Sequence, residues 1–321
     1  MYQEKCIDII IPCYNESEII NLTLGSIKDL FKNVPFKYNV VVVDNGSTDN
    51  SMEIVEKNNV SVVMKTECSV AEVRNYGAGL LKGQYIVFLD ADVLITKRWM
   101  NELIKFVESN TKKYIITGSP VNVSSNQSLL EKCWFSGRRI GSNYINSGNL
   151  IVTRSLFEKI NGFDPKLITG EDYDFCVRAI NFGSIIKINP NFYTIHYGFP
   201  TKLYDFFKRE MWHGIGDFQD YQAFFSSKPA ILATFNSIFL LVTLIGYLFF
   251  KNFYLLIAYS MFITCVTFVI SKHRSHLISC IPYNMIVSFV YLVARFASLW
   301  KAIASINKKS IQRSRNNAGC S

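Results

Sequence analysis

The sequence predicts an α/β fold with a mostly parallel sheet, followed by C-terminal membrane helices, and three observations support this prediction. Short apolar runs at residues 8–12, 40–43 and 85–89 read as buried strands. Segments with helical periodicity separate these runs, so βαβ units with right-handed crossovers are expected. The last third of the chain contains long stretches without a charged residue, which are typical of membrane helices.

The N-terminal half alternates strands with helices in a regular order. The first strand, at residues 8–12, precedes a helix that is predicted to end near Leu30. The second strand, at residues 40–43, leads into a turn that contains the dipeptide Asn45-Gly46. A third strand follows at residues 60–64. Ser69 and Glu72 then have the spacing of a capping box, which predicts a helix that extends to about Leu81.

Two carboxylates follow the apolar strand at residues 85–89. Asp90 and Asp92 point the same way if the chain is extended, because residues i and i+2 of a strand share a face. The ends of parallel strands are where α/β sheets bind their ligands, and a divalent cation that carries a diphosphate would suit two carboxylates. The alternative is a solvated turn that caps a helix starting near Thr96.

Five motifs occur together in an order that is known from one protein family. They are Ile9-Ile10-Ile11-Pro12-Cys13-Tyr14-Asn15-Glu16, Val43-Asp44-Asn45-Gly46-Ser47-Thr48-Asp49, Arg74-Asn75-Tyr76-Gly77, Asp90-Ala91-Asp92 and Thr169-Gly170-Glu171-Asp172. Over roughly residues 6–185 the chain resembles the inverting glycosyltransferases of family 2, which have the GT-A fold. The resemblance implies a nucleotide-sugar donor and a divalent metal, Mn²⁺ or Mg²⁺. It fixes neither the sugar nor the base of the donor.

The same resemblance implies roles for individual residues. Asp172 would be the general base, Asp44 would lie near the base or ribose of the donor, and Asp90 and Asp92 would lie at the metal and the diphosphate. The donor-binding residues are expected to be Pro12, Tyr14, Glu16, Asp44, Arg74, Asp90 and Ala91. The acceptor-side residues would be Gly148, Asn149, Glu171 and Trp134, and the metal ligands would be Asp92, Asp90 and His196.

Two of these roles have alternatives that the sequence leaves open. A lone histidine beside aromatic residues, such as His196, is also typical of a packed core. Acidic residues in the first turn of a helix, such as Glu171 and Asp172, also compensate the helix dipole.

The residue types fit the chemistry of glycosyl transfer. Displacing a nucleoside diphosphate from an anomeric carbon builds negative charge on the leaving phosphate, which a cation held by carboxylates neutralises. The incoming sugar hydroxyl needs a base, and such a base typically contributes a factor of ~10²–10⁴ in rate. We therefore expect a metal-dependent inverting glycosyltransferase that acts on a hydroxyl of a lipid-linked or cell-surface glycan.

Three other functions compete with this expectation. A polyprenyl-phosphate glycosyltransferase is the main alternative; its acceptor is already ionised and needs no base. A nucleotidyltransferase is disfavoured, since no glycine-rich loop bearing Arg or Lys follows the first strand. A non-enzymatic membrane scaffold would need neither the aspartate pair nor Asp172.

Charge divides the chain at about residue 228. Residues 229–321 contain nine Lys and Arg and no acidic residue, so residues 1–228 hold 25 residues of each sign. A neutral catalytic part argues against binding to nucleic acid. Because the excess positive charge accompanies the most apolar sequence, anionic membrane lipids are the expected partner of the C-terminal part.

The C-terminal part is predicted to be a membrane module at residues 229–321, after a catalytic domain at residues 1–228. Residues 230–250 and 253–271 are long enough to cross a bilayer. Residues 277–307 carry a stripe of polar residues on one face, which favours a helix lying in the membrane interface, followed by a basic tail. With two spans the tail stays on the side of the catalytic domain, which is expected to face the cytoplasm.

The eight cysteines show no spacing typical of a metal site, and all are expected to be reduced. No signal peptide is expected, since Met1 leads within a few residues into the first strand.

Overall fold

The computed structural model describes residues 5–123, 128–136 and 144–318, with side chains described through residue 304. The chain forms two compact units. The N-terminal unit comprises Met1–Asn126 and Ile140–Phe199, and the C-terminal unit comprises Gln127–Arg139 and Pro200–Ser321.

The described residues of the N-terminal unit form ten strands in two sheets. In chain order the strands are β1 Cys6–Cys13, β2 Lys37–Asp44, β3 Ser61–Met64, β4 Tyr85–Leu89, β5 Val93–Ile95, β6 Ile115–Gly118, β7 Asn122–Val123, β8 Asn149–Thr153, β9 Ile185–Ile188 and β10 Thr194–His196. The larger sheet has the order β3-β2-β1-β4-β8-β6-β9. Only β8 runs antiparallel to its neighbours in this sheet, so the prediction of a mostly parallel sheet is confirmed.

A second, three-stranded sheet was not predicted from the sequence. Its order is β5-β10-β7, and β10 runs antiparallel to β5 with His196 opposite Val93. Residues 192–195 are strand-like in sequence, but strands of two or three residues carry too few side chains for a periodic pattern to predict how they pair.

In the described part of the N-terminal unit, six helices connect the strands. They are α1 Ile20–Leu30, α2 Ser51–Lys57, α3 Val70–Leu80, α4 Lys97–Ser109, α5 Arg154–Lys159 and α6 Glu171–Asn181. The predicted capping box is present, since the side chains of Ser69 and Glu72 each accept a hydrogen bond from the other residue's backbone N–H. Thr96 caps α4 by accepting from the backbone N–H of Trp99. The helix boundaries near Leu30, Leu81 and Thr96 are therefore confirmed.

The large sheet is buried on both faces, as its apolar strands predict. Along β1, Ile9 and Ile11 pack into one hydrophobic cluster, while Ile10 packs into the other on the opposite face. All five residues of β4 are buried. The acidic residues that follow β4 therefore lie at the rim of a densely packed sheet, which fixes their positions.

The C-terminal unit is helical in the part that the structure describes. Its α-helices are α7 Leu203–His213, α8 Tyr221–Ser226, α9 Lys228–Phe250, α10 Phe253–Arg274 and α11 Ile281–Ala318. A short π-helical segment, Glu131–Phe135, and two short 3₁₀ segments, Gly214–Phe218 and Ile278–Cys280, complete it.

Three helices of this unit are long and apolar enough to cross a membrane, as judged by length and composition. The segments are Lys228–Phe250, Phe253–Arg274 and Ile278–Ala304. The first two form the predicted hairpin. Lys251, with φ +51°, ends α9, and the side chain of Asn252 caps α10.

Three residues of the polar stripe of α11 face protein. Asn284, Ser288 and Ser298 are fully buried. Asn284 donates to the carbonyl oxygen of Cys133 at 2.7 Å, and the hydroxyl of Ser288 lies 3.3 Å from that of Ser271. Polar groups on an apolar helix find partners on neighbouring helices when no water is available. The interfacial location of this helix remains a prediction.

The prediction that every cysteine is reduced is also wrong. Cys133 and Cys280 form a disulfide bond across a sequence separation of 147 residues. Among the described residues, Cys6, Cys13, Cys68, Cys176 and Cys265 are free. The spacing of the cysteines could not reveal this pair, because the packing of the π-helical segment against the start of α11 brings them together.

Candidate donor and catalytic site

Asp92 and His196 are brought together by the small sheet. Asp92 lies between β4 and β5, and the antiparallel pairing of β5 with β10 places His196 beside it. The Nε2 atom of His196 is 3.2 Å from Oδ2 of Asp92. The ring of His196 also packs against Phe199, with 4.1 Å between ring centroids. The sequence-predicted pair is therefore adjacent in space.

The surroundings of this pair fit a divalent cation. Oδ1 of Asp92 and Nδ1 of His196 are buried and have no hydrogen-bond partner among the described residues. A buried polar atom without a partner is costly, so ligation would relieve this cost. A Cβ atom on Gly198 would overlap the Asp92 carboxylate, so a larger residue there would displace that carboxylate. Carboxylate oxygen and imidazole nitrogen together form a ligand set that Mn²⁺ accepts.

A preformed metal cluster is not present in the described part of the chain. No group of three or more His, Cys, Asp or Glu side chains is arranged to hold a metal there. Asp92 and His196 would therefore supply two ligands, and the remaining positions would be left to donor oxygens or water, as is common for Mg²⁺ and Mn²⁺ bound with a diphosphate.

Asp90 faces a different partner, Arg74 of α3. Nη2 of Arg74 is 2.8 Å from Oδ1 of Asp90, and Nη1 is 2.7 Å from Oε1 of Glu171. Arg74 itself is buried. A Cβ atom on Gly148 would overlap the Asp90 carboxylate, so the chain passes close to Asp90 on that side. The predicted donor residue Arg74 thus binds two carboxylates of the protein.

Asp172 lies in the first turn of α6, directly after Glu171. Its Oδ1 atom accepts a hydrogen bond from the backbone N–H of Tyr173 at 2.8 Å. Burial and the neighbouring Glu171 carboxylate raise the pKa of Asp172 from 3.8 to about 7, against the opposing effect of Arg74. A carboxylate with a pKa near neutral pH can both accept and release a proton, which suits a general base.

The loops that follow β1 and β2 are joined by hydrogen bonds. The Asp44 carboxylate, at the end of β2, accepts from the hydroxyl of Ser47 at 2.6 Å and from the backbone N–H of Gly46. The side-chain oxygen of Asn15 accepts from the backbone N–H of Thr48 at 2.8 Å. Asn15 has a φ of +56°. Sequence reasoning did not single out this residue; its position directly after a strand-ending Pro-Cys-Tyr was the available signal.

Glu16 lies in the same pair of loops, where its backbone N–H donates to the hydroxyl of Ser51. Burial, together with the carboxylates of Asp92 and Asp90, raises the pKa of Glu16 to about 8. This effect indicates that Glu16 is near the aspartate pair, as the resemblance implied.

Other predicted site residues occupy varied surroundings. Tyr14 is exposed, and Pro12 is the penultimate residue of β1. Ala91 is buried, with its carbonyl oxygen accepting from the hydroxyl of Thr23 at 2.7 Å. These positions are compatible with backbone or ring contacts to a donor, which remain predictions.

Two predicted acceptor-side residues have no side chain free to contact an acceptor. Asn149 is fully buried; it accepts from the indole N–H of Trp99 and donates to the carbonyl oxygen of Phe192, both at 2.8 Å. Trp134 belongs to the C-terminal unit, where its ring is buried against Arg274 and Phe206. Their side chains serve packing, which the motif match could not show.

The chain matches two family models. The model described as "Glycosyl transferase family 2" matches residues 8–160, and the model described as "Glycosyl transferase family group 2" matches residues 85–297. The chain therefore belongs to the family 2 glycosyltransferases, a family that uses nucleotide-sugar donors.

Curated relatives agree with this assignment. The amylovoran biosynthesis glycosyltransferase AmsB of Erwinia amylovora is 29% identical over 199 residues, which cover 54% of this chain and 64% of AmsB. The glycosyltransferase AglE of Haloferax volcanii is 27% identical over 191 residues, which cover 55% of this chain and 62% of AglE. The chain thus spans slightly less than two thirds of the length of these relatives.

A solved structure supports the fold. The mannosyltransferase PcManGT from Pyrobaculum calidifontis, in complex with GDP-Man and Mn²⁺, aligns with a TM-score of 0.56 and 17% sequence identity. The alignment covers 94% of this chain and 88% of that chain. The predicted GT-A fold is confirmed by this likeness.

Proposed function

We propose that this glycosyltransferase moves a sugar, with inversion at the anomeric carbon, from a nucleotide-sugar to a hydroxyl of a lipid-linked or cell-surface glycan. The observation that carries the proposal is Asp172, a carboxylate with a pKa near 7 that neighbours the Arg74–Glu171 ion pair. A hydroxyl acceptor needs a general base, and such a base works best when its pKa lies near the working pH. The similarity to AmsB, an amylovoran biosynthesis glycosyltransferase, supports a glycan acceptor.

Each residue has a distinct task in the proposed reaction. Asp92 and His196 would hold a divalent cation, which when bound neutralises charge on the leaving diphosphate. Asp44, at the end of β2, would contact the nucleoside end of the donor, and Glu16, in the loop after β1, would lie near the donor. Asp172 accepts the proton of the acceptor hydroxyl as the oxygen attacks the anomeric carbon. Attack opposite the leaving group inverts that carbon.

A second candidate, transfer to a polyprenyl phosphate, is favoured by the long apolar helices. Its acceptor oxygen is already ionised, so Asp172 would not be required. The two candidates therefore differ in their dependence on Asp172.

We also propose that α9 and α10 cross the membrane and that α11 stays on one side of it. Glu210 and Asp217 precede the first residue of α9, and Arg295 of α11 pairs with them at 3.2 and 2.9 Å. Position 295 therefore lies on the side where α9 begins. The hairpin returns the chain to that side before α11 starts. A helix that begins and remains on one side, with Trp300 exposed, fits the interface.

The catalytic domain is proposed to face the cytoplasm, where nucleotide-sugars are made. The nine cations of residues 229–321 would then favour the cytoplasmic side and contact anionic lipids. The domain boundary near residue 228 remains part of this proposal.

The decisive experiment uses the full chain in detergent or vesicles, with UDP-, GDP- and dTDP-sugars and with membrane lipid extracts as acceptors. Nucleotide release is measured with and without Mn²⁺, and the anomeric configuration of the product is determined by NMR. We expect Mn²⁺-dependent release that requires an acceptor, and an inverted product. A retained configuration, or transfer that is unchanged in Asp172→Asn, would contradict the proposal.

A further inference from the structure

Arg74 is a buried cation between two carboxylates that come from different parts of the chain. It projects from α3, Asp90 follows β4, and Glu171 begins α6. The two ion-pair distances are 2.8 and 2.7 Å, and the side chain of Arg74 is only 5% exposed. Its guanidinium carbon also lies 5.8 Å from the ring centroid of Phe163. A guanidinium held on these sides has little freedom to move.

The two carboxylates belong to the two halves of the proposed reaction. Asp90 is next to the residues proposed to hold the cation, while Glu171 precedes the proposed base by one residue. Because Arg74 donates to both, it links the end of β4 to the first turn of α6. That turn begins at Gly170, whose φ is +80°, and has no side-chain cap at its N-terminus. The Glu171 ion pair ties this turn to α3, while other described side-chain contacts of the turn are the ring contact of Tyr173 with Tyr144 and the pairing of Asp174 with Arg178.

We propose that Arg74 is a positioning residue: through Glu171 it fixes Asp172 relative to the donor-side carboxylate Asp90, instead of binding the donor itself. This inference rests on the proposed role of Asp172 as the base. Glu171 then has the same positioning role, in place of the direct acceptor contact that the resemblance implied.

The charges around Asp172 give this arrangement a measurable signature. Glu171 on α6, Arg74 on α3 and Asp90 after β4 face it, and the N–H of Tyr173 donates to it. Glu171 raises the pKa of Asp172 and Arg74 lowers it. Removing the charge of Glu171 should therefore move the acid limb of the pH–rate profile to lower pH. Removing the charge of Arg74 should move it to higher pH.

The first test substitutes Glu171→Gln in the full chain, with Asp174→Asn as the matched control. Asp174 lies on the same helix and pairs with Arg178 at 2.7 Å, but Arg178 does not contact Asp90 or Glu171 in the described structure. We expect Glu171→Gln to lower kcat about 10-fold or more, as loss of a positioned base would. The acid limb should move to lower pH. The Asp174→Asn variant should have the kcat and the acid limb of the native chain.

Donor-side function is measured separately with the nucleoside diphosphate that the donor panel selects. Its Kd in the presence of Mn²⁺ should change less than about threefold in Glu171→Gln, because a positioning residue does not contact it. A large loss of this affinity would assign the Arg74–Glu171 pair to donor binding and overturn the proposal.

Arg74 is tested with Arg74→Lys, which retains the charge, and Arg74→Met, which removes it. We expect the double variant Arg74→Met with Glu171→Gln to lose no more activity than Arg74→Met alone, because both changes break one link. If Arg74→Met does not fold, the comparison is made with Arg74→Lys, which cannot donate to two carboxylates in the same planar geometry. Additive losses would show that the two residues act independently.

The two proposals fail in different ways. If Asp172→Asn retains its turnover, the base assignment is wrong, whatever the Arg74 variants do. If Asp172→Asn is inactive while Glu171→Gln keeps normal turnover and an unmoved acid limb, the base assignment stands and the positioning role is wrong.

Discussion

The pH dependence of transfer follows from the surroundings of Asp172. Burial and Glu171 raise its pKa from 3.8 to about 7, and only the ionised form can accept the acceptor proton. About one tenth of the molecules would carry the ionised base at pH 6 and about nine tenths at pH 8. We therefore expect kcat to rise about tenfold between these values, with a slope of one in log kcat well below pH 7.

Ionisation of Asp172 raises kcat but lowers the stability of the fold. The pKa of Asp172 is higher in the folded protein than in the unfolded chain, so its contribution to stability is present below pH 4 and is lost as the pH rises through 7. The pH range in which the enzyme gains activity is therefore the range in which ionisation of Asp172 lowers its stability. Asp172→Asn, which cannot ionise, should raise the melting temperature at pH 8 and change it little at pH 4.

The assay measures nucleotide release at saturating donor from pH 5.5 to 8.5, for the native chain and for Asp172→Asn. A lipid phosphate acceptor titrates in a similar range, with a second pKa of about 6, so the native profile alone does not identify the base. A turnover loss of about 10²-fold in Asp172→Asn identifies it. If the variant retains both its turnover and the acid limb, the reasoning is refuted and the titrating group belongs to the acceptor.

Further predictions concern the cation and the C-terminal unit. Asp92→Ala should abolish both transfer and the rise in melting temperature on adding Mn²⁺; a persisting rise would show that Mn²⁺ binds elsewhere. Trp134→Ala should destabilise the protein by about 3–5 kcal/mol in chemical unfolding, because it empties a buried site, and a change below about 1 kcal/mol would contradict this packing. Arg295→Met should reduce stability in detergent, since it leaves the half-buried Asp217 without this ion pair and the buried Glu210 with Arg209 as its remaining cation, whereas an unchanged melting temperature would show the ion pairs of Arg295 to be unimportant. Labelling of Cys320 from the catalytic side of sealed vesicles is expected, and labelling from the opposite side would show that α11 crosses the bilayer.

Much of the N-terminal unit could be predicted from the sequence, because its signals are local. Ser69 and Glu72 specify a capping box within four residues, and the apolar run of β4 specifies a buried strand that ends at Asp90. Local propensity and tertiary packing agree at these positions, so the sequence pattern alone is sufficient. The order of the strands follows from the family match rather than from these signals.

The remaining features depend on contacts between distant residues. The two ion pairs of Arg74 join residues that are 16 and 97 positions away, and nothing in the pattern around Arg74 distinguishes a donor ligand from a buried link. Asn149 illustrates the same difficulty, because its amide bonds to Trp99 and Phe192 in the core. A motif match identifies which residue type is present but does not show which direction its side chain faces.

The C-terminal unit shows why hydropathy alone misreads a polar stripe. On α11, Asn284, Ser288 and Ser298 fall on one face, a pattern that a helix at a water interface and a helix packed on polar neighbours share. The two cases differ in what lies opposite the stripe. Here Ser271 of α10, the carbonyl oxygen of Cys133 and the backbone of Gly214 lie opposite, so the apolar face of α11 is the one turned outward. An outward apolar face contacts lipid whether the helix lies along the interface or crosses the bilayer. The ion pairs of Arg295, rather than the stripe, therefore favour the one-sided arrangement.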